Sequence, residues 1–427
     1  MIFSHLQDQL ALSHASLVCK HWHAQASRHC WAVCHDLLGL ERNVSRQRQN
    51  SIAALIRHVD LTATNQIWKG PASTMPIFPL VRTVAITAQA LQYKHEAQCL
   101  SRLLGASISD LHVEASAGAP YNPPEPSIST MWLRPLHRVC TNLTELSLNV
   151  SLPATVSDEL EILLLGTCLE HVSFGPLIYH VISDWGIAFL LAQQSLVTLE
   201  LFRPVTKAAL DILMQQCNGL PALDKLQVLR ITIDESHEEV LVSLVRMAPN
   251  LIVLHVTFDH ITTNDPWGPS QATFNAISRL ERLRHLDILF GVRLPDGGQG
   301  HATVTAANLF ALTDLPLRTL SIASRTLSFD YLLRLSQVTG SQLLQLLINW
   351  RPLDFVEVDI VCEDIVCSAV QWERIAQLLK TIDFLDFYTS NVTLEQQLVM
   401  DPDVWLGSNL SYHPDPRRWI PRQLHHD

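Results

Sequence analysis

The residues best suited to chemistry near the start of the chain are cysteines and histidines. They are Cys19, His21, His23, Cys30, Cys34 and His35. Thiolate and imidazole are the ligands that zinc prefers, but structural zinc sites place them in short paired motifs such as Cys-x-x-Cys. No such pair occurs here. The spacing therefore favours ordinary buried or surface thiols, and we predict neither a metal site nor a cofactor.

Motifs of known catalytic sites are absent from the sequence. It contains no Gly-x-Ser-x-Gly, His-Glu-x-x-His, P-loop or Gly-x-Gly-x-x-Gly run. The His95-Glu96 pair and the His425-His426 pair lack, in sequence, the partner groups that a metal ion or a general base needs. We therefore predict that the protein is not an enzyme, with a hydrolase site assembled only in space as the least favoured hypothesis.

Composition narrows the class of protein. The chain has 427 residues, 48% of them hydrophobic, which is ample for a folded core. Its formal charge of −11 argues against nucleic acid or an anionic membrane as partner, because phosphate binding needs clustered Lys and Arg. Nine scattered cysteines suggest reduced thiols, and neither a signal peptide nor an apolar run of about 18 residues is apparent. We expect a cytoplasmic or nuclear protein.

One short pattern, apolar-x-x-apolar-x-apolar, recurs along most of the chain. The copies begin at Ile56, Val81, Ile108, Leu143, Leu169, Leu196, Leu226, Leu251, Leu283, Leu317, Leu343 and Ile382. Amphipathic stretches lie between them, and we expect them to form helices. Thr206 is placed to cap a helix over Ala208–Cys217, and Ser328 to cap one over Phe329–Val338. Ser236 is placed to open a capping box before Val240. A strand followed by a helix, repeated at irregular spacing, is typical of leucine-rich repeats with loop insertions. An ordinary α/β domain is the alternative.

This fold would expose one set of strand side chains. In an irregular leucine-rich-repeat solenoid, a parallel sheet lies on the concave side and helices lie on the convex side. Polar residues between the apolar strand positions then face the concave side, where a protein substrate would bind. They are Glu145, Ser147, Glu200, Arg230, Thr232, His255, Thr257, Asp287 and Ser321. A solvated sheet face without a ligand is the alternative for any one of them.

The first thirty residues carry a second, different signal. Ile-Phe-x-x-Leu at Ile2–Leu6 precedes Leu-Val-Cys-Lys-x-Trp at Leu17–Trp22, and the apolar residues are too many to be buried within so short a segment. The segment resembles an F-box, specifically those of fungal F-box proteins. The resemblance implies docking to a Skp-type adaptor of a cullin–RING ubiquitin ligase. The residues that would face the adaptor are Ile2, Phe3, Leu6, Leu10, Leu17, Val18 and Cys19.

Together these patterns predict the organisation of the chain. We expect an F-box-like helical segment over 1–35, a connecting helix over 36–55, an α/β leucine-rich-repeat-like solenoid over 56–395 and a Pro- and Trp-containing tail over 396–427. The F-box resemblance starts after the Leu-Pro-x-Glu turn with which that family usually begins. The predicted function is a ubiquitin-ligase substrate receptor for an unknown protein. The alternative is a repeat scaffold whose N-terminal helices only cap the array.

Overall fold

The computed structural model describes much of residues 26–292 and several shorter segments beyond. The described residues are 26, 28–64, 66–114, 132–150, 152, 156–178, 180–217, 222–234, 237–261, 268–292 and segments within 303–394. The chain divides into two compact units. The first comprises Met1–Arg203 and Asp211–Gly219, and the second comprises Pro204–Leu210 and Leu220–Asp427.

The first unit is built on parallel strands that pair in the order of the sequence. They are β1 (Val33–Cys34), β2 (His58–Leu61), β3 (Thr83–Thr87), β4 (Asp110–Glu114), β5 (Glu145–Leu148), β6 (His171–Phe174) and β7 (Thr198–Val205). The helices between them are α1 (Leu37–Asn43), α2 (Arg46–Ala53), α3 (Lys94–Leu103), α4 (Leu133–Val139), α5 (Ser157–Gly166) and α6 (Asp184–Leu191). Helix α7 (Lys207–Cys217) contains residues of both units. Within the described residues the sheet begins at Val33, and the predicted connecting segment forms two helices, α1 and α2.

The core is made by the repeated apolar positions. From the copy at Ile56 to the copy at Leu283, all three apolar residues of every copy are at most 2% exposed. Each strand begins two residues after the start of its copy, so the fourth and sixth positions point to the core. The residues between them, such as Glu145 and Ser147 on β5, are only half-buried. The α/β repeat fold predicted from the pattern is confirmed.

A backbone motif links consecutive repeats at the entry to strands of both units. The amides of Arg82 and Thr83 both donate to the carbonyl of Arg57, and those of Ser109 and Asp110 both donate to the carbonyl of Arg82. The same two-to-one arrangement recurs at the entries to β2, β5, β6, β7, β9 (Val253–Ile261) and β10 (His285–Val292). Each repeat is therefore anchored on the repeat before it, as expected when stability comes from neighbour contacts.

The second unit contains a parallel series of long strands together with several short ones. Its strands are β8 (Val228–Asp234), β9, β10, β11 (Thr303–Val304), β12 (Thr319–Thr326), β13 (Phe329–Leu332), β14 (Arg334–Leu335), β15 (Val338–Thr339), β16 (Glu357–Cys367) and β17 (Leu385–Leu394). The parallel series runs β8–β9–β10–β12–β16–β17. Helices α8 (Glu238–Met247) and α9 (Gln271–Ile277) lie between strands. The repeat copy at Leu343–Ile348 lies outside the described residues.

One local prediction for the second unit is wrong, one lies outside the described residues and one is confirmed. Where Phe329–Val338 is described, it is not a helix: β13 instead pairs antiparallel with β12, because alternating Phe329 and Tyr331 suit a strand and β12 offers hydrogen-bond partners. The capping box predicted for α8 rests on Ser236, which lies outside the described residues; His237, at the N-cap position of α8, makes no side-chain capping bond. The predicted cap of α7 is present, with the Ala209 amide donating to Thr206 Oγ1 over 3.1 Å.

Candidate functional site

The strand residues that point away from the core of the first unit form a continuous surface, which we call the outer strand face. Its residues are His58, Asp60, Thr83, Ala85, Asp110, His112, Glu114, Glu145, Ser147, His171, Ser173, Thr198, Glu200 and Phe202. The parallel register places them in rows that run across the strands. One such row joins Ser147, Ser173 and Glu200.

Side chains in these rows contact one another across strands. Thr83 Oγ1 lies 3.1 Å from His58 Nδ1 and donates to Asp110 Oδ2 over 2.8 Å. On the next strands His112 Nε2 lies 3.6 Å from Glu145 Oε1. The face is therefore an ordered polar surface, held in register by hydrogen bonds between neighbouring repeats.

A second set of contacts continues the surface towards β7. His171 Nδ1 lies 3.1 Å from Thr198 Oγ1, and Ser173 Oγ donates to Glu200 Oε2 over 2.9 Å. Beyond Glu200 the same strand presents Phe202, whose side chain is 52% exposed. A large aromatic ring beside a polar surface is a composition typical of protein-binding sites.

When its histidines are neutral, the outer strand face carries only negative charges. Its carboxylates are Asp60, Asp110, Glu114, Glu145 and Glu200, and neither Lys nor Arg is among its residues. Arg203, the adjacent cation on β7, belongs to the opposite set of strand positions and pairs with Asp184 at 3.0 Å. The face is thus suited to a surface rich in Lys and Arg.

The second unit presents a comparable row of smaller extent. Arg230, His255, Asp287 and Ser321 are neighbours in register on β8, β9, β10 and β12. His255 Nδ1 lies 2.7 Å from Asp287 Oδ2.

The predicted binding residues therefore fall into two groups, one in each unit. Glu145, Ser147 and Glu200 lie on the outer strand face, and the others lie on the strands of the second unit. Thr232 is only 7% exposed beside Thr257, which makes it the least available of those predicted residues whose burial is described. No ligand tests these assignments, and they stay predictions.

The outer strand face extends beyond the residues predicted from the sequence. The residues from β2 to β4, including His58, Asp110 and His112, share the alternation that identified Glu145, so the same signal would have found them. The predicted adaptor-binding residues Ile2, Phe3, Leu6, Leu10, Leu17, Val18 and Cys19 lie outside the described residues.

A second cluster lies on the helix side of the first unit. Helix α3 carries His95, Glu96 and Cys99, whose ligand atoms all lie within 4.8 Å of one another. His95 Nε2 is 2.7 Å from the Trp68 carbonyl oxygen and 3.6 Å from Cys99 Sγ, and Glu96 Oε2 accepts from the Ile67 amide over 2.6 Å. The sequence-based view that His95-Glu96 lacks partner groups is therefore wrong. The His-x-x-x-Cys spacing places both side chains on one face of a helix, and it is the sequence pattern that indicates this cluster.

Burial sets the protonation of this cluster. Burial raises the pKa of the Glu96 carboxyl, although the amides of Ile67 and Trp68 and the nearby His95 oppose the shift. Burial, with help from Glu96 and Glu41, raises the pKa of the Cys99 thiol to about 12. Burial also raises the pKa of the Cys140 thiol to about 12. Both thiols are therefore protonated at neutral pH.

The difference between buried and exposed cysteines predicts their reactivity. With iodoacetamide at pH 8 we expect Cys168 and Cys217, which are exposed, to be modified at least about a hundredfold faster than buried Cys99 and Cys140. Peptide mass spectrometry over time measures each rate. In urea the four rates should converge, because burial is lost. Similar rates in the folded protein would contradict the arrangement described.

Comparisons with known proteins add little to this description. No family model matches the chain, and no curated protein matches it. Among solved structures it is similar to the leucine-rich repeat-containing protein LegL7 from Legionella pneumophila, with 13% identity and a TM-score of 0.34 over 74% of this chain and 96% of that one. No helix in the described part of the chain combines the length and apolar character needed to cross a membrane. The fold assignment rests on the repeated strands and their register: the described residues of each unit form α/β repeats like those of leucine-rich-repeat folds.

Proposed function

We propose that the protein is a protein-binding repeat scaffold and that the outer strand face of the first unit is its main binding surface. The observation that carries this proposal is the in-register polar face with carboxylates on four strands and no Lys or Arg. Such a face offers many side chains at fixed spacing without any backbone rearrangement. Its charge favours a partner surface that presents Lys and Arg.

Site-specific crosslinking tests this proposal. A photo-reactive amino acid at Ser147, on the outer strand face, should crosslink a partner protein in cells. The same amino acid at exposed Asp158, at the start of α5, is the matched control and should not. The proposal predicts that Glu145→Gln combined with Glu200→Gln lowers the crosslink yield at Ser147 at least several-fold, because charge complementarity is lost. Equal yields from Ser147 and Asp158 would contradict it.

We further propose that this scaffold serves as a substrate receptor of a cullin–RING ubiquitin ligase. Support comes from the F-box resemblance of the Leu17–Trp22 run and its flanking apolar residues. In this arrangement the N-terminal segment holds a Skp-type adaptor while the strand surfaces hold the substrate. Leu17→Asp with Val18→Asp should abolish co-purification of the adaptor, whereas Glu145→Gln should leave it unchanged. Adaptor recovery that is equally poor for wild type and the double variant would refute the ligase link.

The alternative is a scaffold without a ligase link, in which the N-terminal helices only cap the array. The segment ends just before β1, which pairs with β2 at the start of the sheet. Capping predicts a sharp fall in melting temperature when Met1–Trp31 is deleted, since a terminal repeat depends on its cap. The receptor hypothesis predicts a smaller fall. Calorimetry of the two proteins distinguishes them.

A further inference from the structure

The cluster on α3 has the spacing of a metal site. His95 and Cys99 are four residues apart and share one face of the helix, and Glu96 follows His95 directly. In a tetrahedral zinc site with Zn–S of about 2.3 Å and Zn–N of about 2.0 Å, the sulfur and nitrogen ligands are roughly 3.6 Å apart. The Cys99 Sγ to His95 Nε2 distance is 3.6 Å. The two ligand atoms are therefore as far apart as two corners of such a site, and the imidazole has only to turn away from the Trp68 carbonyl oxygen to share a metal with Cys99.

The charge around the cluster favours a cation. Glu96 is 5% exposed and Cys99 is 0% exposed, and both Glu96 and Glu41 act on the Cys99 thiol as negative charges. Arg102 is the cation that opposes them, but its guanidinium extends to the Met75 carbonyl oxygen at 3.4 Å. Buried carboxylates need pairing, hydrogen bonds or a metal ion. A divalent cation between these groups would stabilise the Glu96 carboxylate and the Cys99 thiolate together.

Half-exposed His95 provides access to the buried pair. Without a metal, its Nε2 atom lies within hydrogen-bond distance of the Trp68 carbonyl oxygen. To bind a metal, the imidazole moves its proton to Nδ1 and offers the Nε2 lone pair. The Cys99 thiol loses its proton to solvent, so binding releases one proton from the thiol. Water can complete the fourth position, as in zinc sites with three protein ligands.

We propose that His95, Glu96 and Cys99 form a three-ligand site for a divalent transition metal, with Zn²⁺ the ion that this imidazole, carboxylate and thiolate set favours. The site is independent of the strand surfaces proposed for protein binding. It lies beside the Ile67–Gly70 loop, whose amides bond to Glu96 and Glu41, so the metal would join α3 to that loop.

Cobalt substitution tests the site in the full chain. After treatment with a chelator, the protein is titrated with Co²⁺, which gives a near-ultraviolet thiolate-to-cobalt band and visible bands when it is tetrahedral. We expect saturation at one Co²⁺ per chain and displacement by Zn²⁺. Cys99→Ala should remove the thiolate band, and His95→Gln should remove the tetrahedral visible bands while Cys99 is intact.

Cys140→Ala is the matched control, because Cys140 is an equally buried thiol with a similarly raised pKa. This variant should keep the full cobalt spectrum. Far-ultraviolet circular dichroism identifies any variant that has lost its fold. If Cys99→Ala has lost its fold, the cobalt spectrum of His95→Gln decides whether the site exists. Absence of a thiolate band in the wild type, or a band that persists in Cys99→Ala, would overturn the proposal.

Discussion

Leu146→Asp should unfold the first unit, whereas Ser147→Asp, one residue further along β5, should leave it folded. Leu146 is 0% exposed at the fourth position of its repeat. Removing a buried leucine side chain costs about 2–5 kcal/mol, and an unpaired buried carboxylate adds several more. That sum is comparable with the roughly 5–15 kcal/mol by which domains are stable. Loss of the cooperative unfolding transition in calorimetry is the expected result.

Ser147→Asp is the matched control for this effect because the new carboxylate points to the opposite side of the sheet. Ser147 is half-buried on the outer strand face, where a charge stays hydrated. We expect a change in unfolding free energy of less than about 1 kcal/mol, part of it repulsion from nearby Glu145. If both variants unfolded, or neither did, the assignment of core and outer positions on β5 would be wrong.

Glu238→Ala should strongly destabilise the second unit, because one carboxylate oxygen of Glu238 accepts three hydrogen bonds from the start of α9. Glu238 Oε1 accepts from the Ser270 amide over 2.6 Å and from Ser270 Oγ over 2.9 Å, and it also accepts from Thr273 Oγ1. Thr273 is 0% exposed, so its hydroxyl would lose a charged acceptor in a site closed to water. We expect the unfolding free energy to fall by about 2–4 kcal/mol.

Chemical denaturation compares Glu238→Ala with two further variants. Glu239→Ala, an exposed change in the same first turn of α8, should cost less than about 0.5 kcal/mol. Glu238→Gln keeps an acceptor oxygen without the charge. Its unfolding free energy should fall by less than that of Glu238→Ala and by more than that of Glu239→Ala. Equal stability of the alanine variants would show that the bonds from α9 to Glu238 contribute nothing measurable.

The strands were predictable because their signal is strong and repeated. Each copy of the apolar pattern from Ile56 to Leu283, such as Val81–Ile86, places residues on one face of a strand and into the core. A helix would turn the last of the three apolar positions away from the other two, so the pattern favours a strand. Short stretches were harder, since Phe329–Val338 satisfies helical and strand patterns alike. What decides between them is the second half of β12, Ala323–Thr326, which β16 does not pair and β13 does.

Contacts between distant residues account for what the sequence could not show. In sequence Glu238 lies inside the predicted capping box of Ser236 and Glu239, but its partners, Ser270 and Thr273, follow another strand. Likewise the groups that surround His95 include the Trp68 carbonyl oxygen, 27 residues away. Such partners are set by the packing of successive repeats, which local spacing does not encode.

The register of the sheet has a consequence for how this chain tolerates change. Thr83 and Asp110 are 27 residues apart, whereas Ser109 and Thr144 are 35 apart, yet β3, β4 and β5 pair without a shift. Alignment therefore comes from the two-to-one amide contacts at each strand entry and not from the length of the connection. Evolution can lengthen the chain between β4 and β5, and an engineer can insert an epitope there, while the side chains on either side keep their alignment.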